Sequence, residues 1–169
     1  MIFLVNHLRP LNGNKADMHD RIWMQKALEL ARIAQAQGEV PVGAVLVSDS
    51  NQLLGSGWNQ VLQKQDPTSH AEIVAIRNAA TRVENYRLEN TTLYVTLEPC
   101  CMCAGALVHA RVQRLVFATR DLKAGAAGSV YNLLQGYPLN HSLQIDEGIL
   151  QQESALLLAD FFKARRHCK

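Results

Sequence analysis

The fold is decided by residues 93–118, which read LYVTLEPCCMCAGALVHARVQRLVFA. The segments 93–97 and 114–118 are short apolar runs of the kind that form buried strands. Between them, Pro99 opens a segment of small residues that reaches about Ala110, and proline is favoured at the first position of a helix. A strand, a helix and a strand in this order predict two parallel strands joined by a helical crossover.

Further elements flank this unit on both sides. Each is predicted from its apolar periodicity and from the turn residues around it. They are a helix at residues 20–37, a hairpin at 42–47 and 53–58, a helix from about residue 70 to 80, a strand near 143–145 and a helix at 151–166. Helices and strands that alternate over one core predict an α/β fold, a three-layer α/β/α sandwich with a central mixed sheet of about five strands.

Length and composition set the class of protein. The chain has 169 residues, of which 48% are hydrophobic and 19% are charged. These values fit one globular domain and exclude a disordered or coiled-coil protein. Residues 1–17 contain a proline, a glycine and three asparagines without a sustained period. We therefore expect a poorly ordered N-terminal extension at residues 1–17, followed by a folded domain at residues 18–169.

The charge balance limits the partners of the chain. A total of 17 basic and 15 acidic residues gives a net charge of +2, so binding to RNA requires a local patch. Lys163, Arg165 and Arg166 are candidates for contacts with RNA phosphates, and the alternative is a solvated helix end that complements the helix dipole. The apolar run at residues 1–5 is too short for a signal peptide or a membrane span, so we expect a cytoplasmic protein without membrane contact.

The spacing of the cysteines indicates a metal site. Cys100, Cys101 and Cys103 fall within four consecutive positions, and clustered thiols in a chain without an export signal are more often metal ligands or redox groups than disulfides. Catalytic zinc takes three protein ligands and leaves a fourth position for water. His70, Cys100 and Cys103 supply such a set, which predicts one zinc ion per chain. A redox pair and a structural zinc, which requires a fourth protein ligand, are the alternatives.

Two neighbours of these ligands have separate roles. Glu72, two residues after His70, is poorly placed to bind the same ion but can reach the water on it, so we expect a general acid and base. A helix turns about 100° per residue. This rotation directs the sulfur of Cys101 away from the ion, whereas Cys103 returns to the side of Cys100.

Three segments carry a family resemblance. Residues 67–73, 94–100 and 102–106 read PTSHAEI, YVTLEPC and MCAGA. Together they resemble the bacterial tRNA-specific adenosine deaminases of the cytidine deaminase-like superfamily. Their His-x-Glu and Pro-Cys-x-x-Cys signature is already known from zinc nucleobase deaminases, this tRNA-acting group included. The resemblance extends from about residue 20 to residue 166, and residues 1–17 have no counterpart in it.

The resemblance implies roles for particular residues. It implies that His70, Cys100 and Cys103 bind zinc and that Glu72 transfers protons. Asn59 matches the residue that hydrogen-bonds the flipped base, and Asp121 matches a position that contacts the RNA backbone near the target nucleotide. From the residues alone, Asn59 is typical of a turn and Asp121 of a solvated loop. Cys101 departs from the family pattern, which usually has an apolar residue there.

The implied function is the zinc-dependent, hydrolytic deamination of adenosine to inosine at the wobble position of a tRNA anticodon stem-loop, by a homodimer. A deaminase of a free nucleoside or base, such as cytidine or guanine, shares every zinc residue and is the first alternative. A zinc-stabilised RNA-binding module without catalysis is the second, and Glu72 argues against it because a structural site does not use an unliganded carboxylate. The segments around Asn59 and Asp121 and the basic C-terminal helix favour a polynucleotide substrate.

Overall fold

The structure is a computed structural model that describes residues 15–135 and 139–167. Its helices and strands follow the predicted order, with one additional short helix. They are α1 (Lys15–Ala36), β1 (Gly43–Ser48), β2 (Leu53–Trp58), α2 (Val61–Lys64), α3 (Ala71–Val83), β3 (Thr91–Leu97), α4 (Cys101–His109), β4 (Arg114–Thr119), β5 (Gln144–Glu147) and α5 (Gln151–His167).

The strands form one mixed five-stranded sheet in the order β2-β1-β3-β4-β5. The hairpin strands β1 and β2 are antiparallel, and β1 also pairs antiparallel with β3. The crossover through α4 makes β3 and β4 parallel, with Leu93 opposite Leu115 and Val95 opposite Phe117. The parallel pair and the mixed sheet of five strands predicted from the sequence are confirmed.

Helices cover both faces of the sheet. Alternate residues of β1 divide between two apolar clusters: Ala44 and Leu46 pack on the side of α3 and α4, whereas Val45 and Val47 pack on the side of α1 and α5. Strands that are buried on both faces explain why the sequence shows continuous apolar runs rather than an apolar and polar alternation. The three-layer α/β/α sandwich is therefore confirmed.

Close packing of α3 on the hairpin places the start of that helix. A Cβ atom at Gly57 of β2 would lie 2.7 Å from the backbone oxygen of Ala71, and one at Gly55 would overlap the backbone oxygen of Ala75. Only glycine permits this approach of strand and helix. The first turn of α3, which follows His70, is thereby fixed against the edge of the sheet.

The helices differ from the prediction at two places. Helix α1 begins at Lys15 rather than near residue 20. Met18 and His19 are exposed, Met18 at 59%, so this part of the helix has no buried face that would give the sequence an apolar period. Residues 1–14 of the predicted N-terminal extension lie outside the described residues. Helix α2 was not predicted, since four residues without a buried side chain leave no periodic signal. Among the helices described, none combines the length and the apolarity needed to cross a bilayer.

Candidate active site

The three predicted metal ligands lie at the starts of two helices. His70 immediately precedes α3, Cys100 immediately precedes α4, and Cys103 lies in the first turn of α4. The Nδ1 atom of His70 is 3.7 Å from the Sγ atom of Cys100 and 3.6 Å from that of Cys103. The ligand atoms of all three residues lie within 4.8 Å of one another. The fold thus brings together residues that are up to 33 positions apart in the chain.

The spacing of these donors fits a zinc ion. Tetrahedral zinc, bonded to sulfur at about 2.3 Å and to nitrogen at about 2.0 Å, requires sulfur and nitrogen donors about 3.6 Å apart. In the described part of the chain, the cluster contains two thiols and one imidazole and no fourth protein ligand. Three ligands are typical of a catalytic rather than a structural zinc site.

A loop held by Asp66 delivers His70 to this cluster. The Oδ1 atom of Asp66 accepts hydrogen bonds from the backbone N–H and the hydroxyl of Thr68, and the Oδ2 atom of Asp66 accepts one from the hydroxyl of Ser69. The bonds from Thr68, then that from Ser69, lower the pKa of Asp66 to about 2. These side chains bond within the loop, and the residue at the N-cap position of α3 is His70, which makes no side-chain capping hydrogen bond.

The ligand side chains influence one another's protonation. The hydrogen bond with Cys103, supported by His70, lowers the pKa of the Cys100 thiol to about 3 against the opposing effect of burial. The same bond and burial raise the pKa of Cys103, and the bond to Cys100 raises the pKa of His70. Cys100 is therefore held as a thiolate, the form that binds a metal.

Glu72 lies in the first turn of α3, directly beside the cluster. Its side chain is 4% exposed, and burial raises the pKa of its carboxyl group. A carboxyl group whose pKa is raised holds a proton more readily, which suits a group that both accepts and donates one. Glu72 is not part of the three-residue cluster, in keeping with the expectation that it acts on protons and not on the ion.

His70, Glu72 and Cys100 line a cleft of about 360 Å³. Together with Cys103, which is fully buried behind them, they form what we call the floor of this cleft. The walls come from the α1–β1 connection, the residues around α2, the end of β3, the loop after β4, and α5. The lining residues are Glu39, Val40, Val42, Asn59, Val61, Leu62, His70, Glu72, Leu97, Glu98, Cys100, Asp121, Ala124 and Arg165. Its placement at the carboxyl ends of the parallel strands is the usual position of a ligand site in an open α/β sheet.

The two predicted substrate contacts, Asn59 and Asp121, belong to different walls of this cleft. Asn59 is buried, and its Nδ2 atom donates to Oε2 of Glu39 at 3.3 Å. Asp121 accepts hydrogen bonds at Oδ1 from the backbone N–H groups of Lys123 and Ala124, at 2.9 and 3.2 Å. One wall is therefore organised around a buried amide and the other around a loop.

Glu39, which the sequence did not single out, organises the wall that holds Asn59. It is 1% exposed, and its Oε1 atom accepts hydrogen bonds from the backbone N–H groups of Leu62 and Gln63 in α2, at 2.7 and 2.9 Å. A carboxylate only accepts hydrogen bonds, so the amide nitrogen of Asn59 must face Glu39.

Comparison with known proteins assigns the family. Residues 18–119 match the family model of the cytidine and deoxycytidylate deaminase zinc-binding region. The tRNA-specific adenosine deaminase of Haemophilus influenzae is 52% identical over 150 residues, which is 89% of this chain and 87% of the relative. The chain belongs to the tRNA-specific adenosine deaminase family.

Solved structures agree with this family assignment. One from a study of A-to-I editing by tRNA:A34 deaminases at the wobble position of transfer RNA has a TM-score of 0.78 and 39% identity, covering 81% of this chain and 99% of that one. The guanine deaminase of Bacillus subtilis has a TM-score of 0.57 and 35% identity, covering 69% of this chain and 71% of its own.

The three basic residues predicted near the C-terminus lie in different surroundings. Arg165 lines the cleft, donates to the backbone oxygen of Gly38 at 2.8 Å and lies 4.9 Å from the ring centre of Phe161. Lys163 and Arg166 are exposed and are not among the cleft residues. Phe161 packs into the protein, whereas the neighbouring Phe162 is 47% exposed.

Cys101, the residue that departs from the family pattern, is exposed. It lies outside the cluster formed by His70, Cys100 and Cys103. Helical rotation accounts for this, since neighbouring positions on a helix point in different directions.

Proposed function

We propose that the protein is a zinc-dependent hydrolase that converts adenosine to inosine at the wobble position of a tRNA anticodon. One observation carries this proposal: two thiols, an imidazole and a buried glutamate meet on the floor of a cleft in a chain that is 52% identical to a tRNA-specific adenosine deaminase. A tRNA substrate also supports a cytoplasmic location.

His70, Cys100 and Cys103 hold one zinc ion per chain in this proposal. Zinc bound at such a site activates a water molecule as the nucleophile. Glu72 would take a proton from the attacking water and deliver a proton to the departing amine. A carbon–oxygen bond forms at C6 of the purine and the exocyclic carbon–nitrogen bond breaks, so that water is consumed and ammonia is released. The raised pKa of Glu72 suits both transfers.

Asn59 and Asp121 contact the flipped nucleotide from opposite walls. Asn59 offers Oδ1 and its remaining N–H to the base, since Glu39 occupies the other side of the amide. The carboxylate of Asp121 repels phosphate but accepts a hydrogen bond from a ribose hydroxyl, the group that distinguishes RNA from DNA. We therefore assign Asp121 to the sugar next to the target base.

Lys163, Arg165 and Arg166 supply phosphate contacts for the anticodon stem-loop. Arg165 lies at the cleft itself, whereas the exposed Lys163 and Arg166 reach RNA farther from the target nucleotide. Such contacts position a polyanion without reading its sequence.

The homodimer expected from the family has a candidate interface beside the cleft. The segment 121–135 carries four exposed large apolar side chains, Leu122 at 80%, Val130 at 45%, Tyr131 at 52% and Leu133 at 41%. Exposed apolar clusters of this kind mark interaction surfaces. Sedimentation should give a dimer, and Tyr131→Glu should shift it towards monomer. A wild-type monomer at micromolar concentration would contradict the dimer.

Deamination of a free base is the competing function, because the Bacillus subtilis guanine deaminase is 35% identical to this chain. One experiment separates the two. The purified protein, assayed for zinc, is incubated with stem-loops that carry adenosine or cytidine at the wobble position, and with free adenosine, cytidine and guanine. We expect inosine from the adenosine stem-loop alone. Product from the free compounds without product from RNA would contradict the proposal.

A further inference from the structure

A third buried glutamate, Glu98, has no part in the chemistry described so far. Its side chain is 2% exposed. In the chain, Glu98 follows the last residue of β3 and precedes the ligand Cys100 by two positions. Its Oε1 atom accepts hydrogen bonds from the backbone N–H groups of Ala127 and Ser129, at 2.9 and 3.0 Å. Its Oε2 atom accepts from the backbone N–H of Asp121 at 3.0 Å and from the hydroxyl of Ser129. One carboxylate thus receives four hydrogen bonds.

All four donors belong to the loop 121–129, which forms one wall of the cleft through Asp121 and Ala124. Further backbone contacts hold the same loop: Ala126 donates to the oxygen of Pro99 at 2.8 Å. Gly125 packs so tightly that a Cβ atom there would lie 2.5 Å from the backbone oxygen of Asp121 and would overlap the carboxylate of Glu98. The carboxylate therefore fills the space around which the loop is wrapped.

The hydrogen-bond donors of the loop compensate the buried charge of the Glu98 carboxylate. None of the ion pairs found among the described residues involves Glu98. A buried carboxylate that loses its partners is strongly destabilised, so movement of the loop away from Glu98 is costly. By the same argument, the loop without Glu98 would lose acceptors for three backbone N–H groups and would sample other conformations.

We propose that Glu98 is a positioning residue for the RNA substrate, which fixes the loop 121–129 as a preformed wall before RNA binds. This inference rests on the proposed function, because the wall carries Asp121. The metal ligands and Glu72 do not belong to the loop. Gly125 forms a β-bridge with Cys100, and this bridge is held by backbone groups and not by the carboxylate of Glu98. Loosening the loop therefore affects substrate binding and leaves the chemical step in place, since the ordering of the loop then takes place when RNA binds.

Two variants test this role, one at the hydrogen-bond acceptor and one at a donor. Glu98→Gln keeps the shape but turns an NH₂ group towards N–H donors, and Ser129→Ala removes one donor at a distance from the metal ligands. We expect KM for the wobble-adenosine stem-loop to rise about tenfold in Glu98→Gln and about threefold in Ser129→Ala. The kcat and the zinc content should stay near those of the wild type. Amide hydrogens of Asp121, Ala127 and Ser129 should exchange faster in Glu98→Gln.

Ser154→Ala is the matched control. Ser154 is buried, and its hydroxyl donates to the backbone oxygen of Thr96 at 2.6 Å, joining α5 to β3 away from the loop. It should lower the Tm and leave KM unchanged.

The outcomes distinguish the two proposals. A wild-type protein without activity on RNA would overturn the proposed function. If the wild type is active and both Glu98→Gln and Ser129→Ala keep the wild-type KM, only the role of Glu98 is overturned. Loss of zinc and of kcat in both variants would overturn it as well. If Glu98→Gln does not fold, Ser129→Ala decides alone.

Discussion

The floor and the walls of the cleft are built in different ways. The floor contains His70, Cys100 and Cys103 at the starts of two helices. The spacing of Cys100 and Cys103 is local to α4, whereas the packing of α3 and α4 brings His70 to them. The walls depend on Glu39 and Glu98, buried carboxylates that accept hydrogen bonds from N–H groups more than 20 residues away. The floor thus combines local helix geometry with helix packing, and the walls are held by long-range hydrogen bonds to buried carboxylates.

The largest expected effect belongs to the floor. Glu72→Ala should lower kcat by about 10²–10⁴-fold, because a positioned general acid and base contributes that much. Zinc, measured by metal analysis, should stay at one per chain, since the three ligands are untouched. Stoichiometric loss of zinc would make Glu72 a ligand or a determinant of the fold.

A wall variant should have an intermediate effect. Glu39→Gln presents either an oxygen or an NH₂ group to Asn59, so the amide of Asn59 is no longer held in one orientation. We expect kcat/KM for the wobble-adenosine stem-loop to fall about tenfold with zinc unchanged. Glu29→Gln, at an exposed position of α1, is the control. Equal activities of the two variants would remove Glu39 from the substrate wall.

Substitution of the basic residues of α5 should affect RNA binding alone. Replacing Lys163, Arg165 and Arg166 together with Gln should weaken stem-loop binding equally for wobble adenosine and wobble cytidine. The slope of log K against log salt should fall by about 0.7–0.9 for each RNA phosphate that the variant no longer neutralises. Zinc content should not change. A slope equal to that of the wild type would assign these cations to a solvated helix end.

The smallest effect is expected at Cys101. Cys101→Val should keep zinc and activity, because the exposed side chain lies outside the metal cluster. Loss of zinc here, together with retained zinc in Cys100→Ser, would mean that the floor uses the other pair of thiols.

The floor could be found in the sequence because its signals are local. The three-residue spacing of Cys100 and Cys103 on one helix and the closeness of His70 and Glu72 both survive without knowledge of the fold. The strands and the crossover were also predictable, since burial on both faces produces apolar runs. Helix α2 was not, because its first N–H groups bond to Glu39, 23 residues earlier in the chain.

The sequence by itself determined the fold class and the candidate metal-binding residues, because helical spacing and apolar periodicity are properties of neighbouring positions. Only the tertiary structure decided that Glu39 and Glu98 are buried, that one orients Asn59 while the other binds the loop 121–129, and that Arg165 is the cation at the cleft. The physical reason is that burial and hydrogen-bond partners of a glutamate depend on residues far away in the chain, and nothing adjacent to it distinguishes a buried acid from a solvated one.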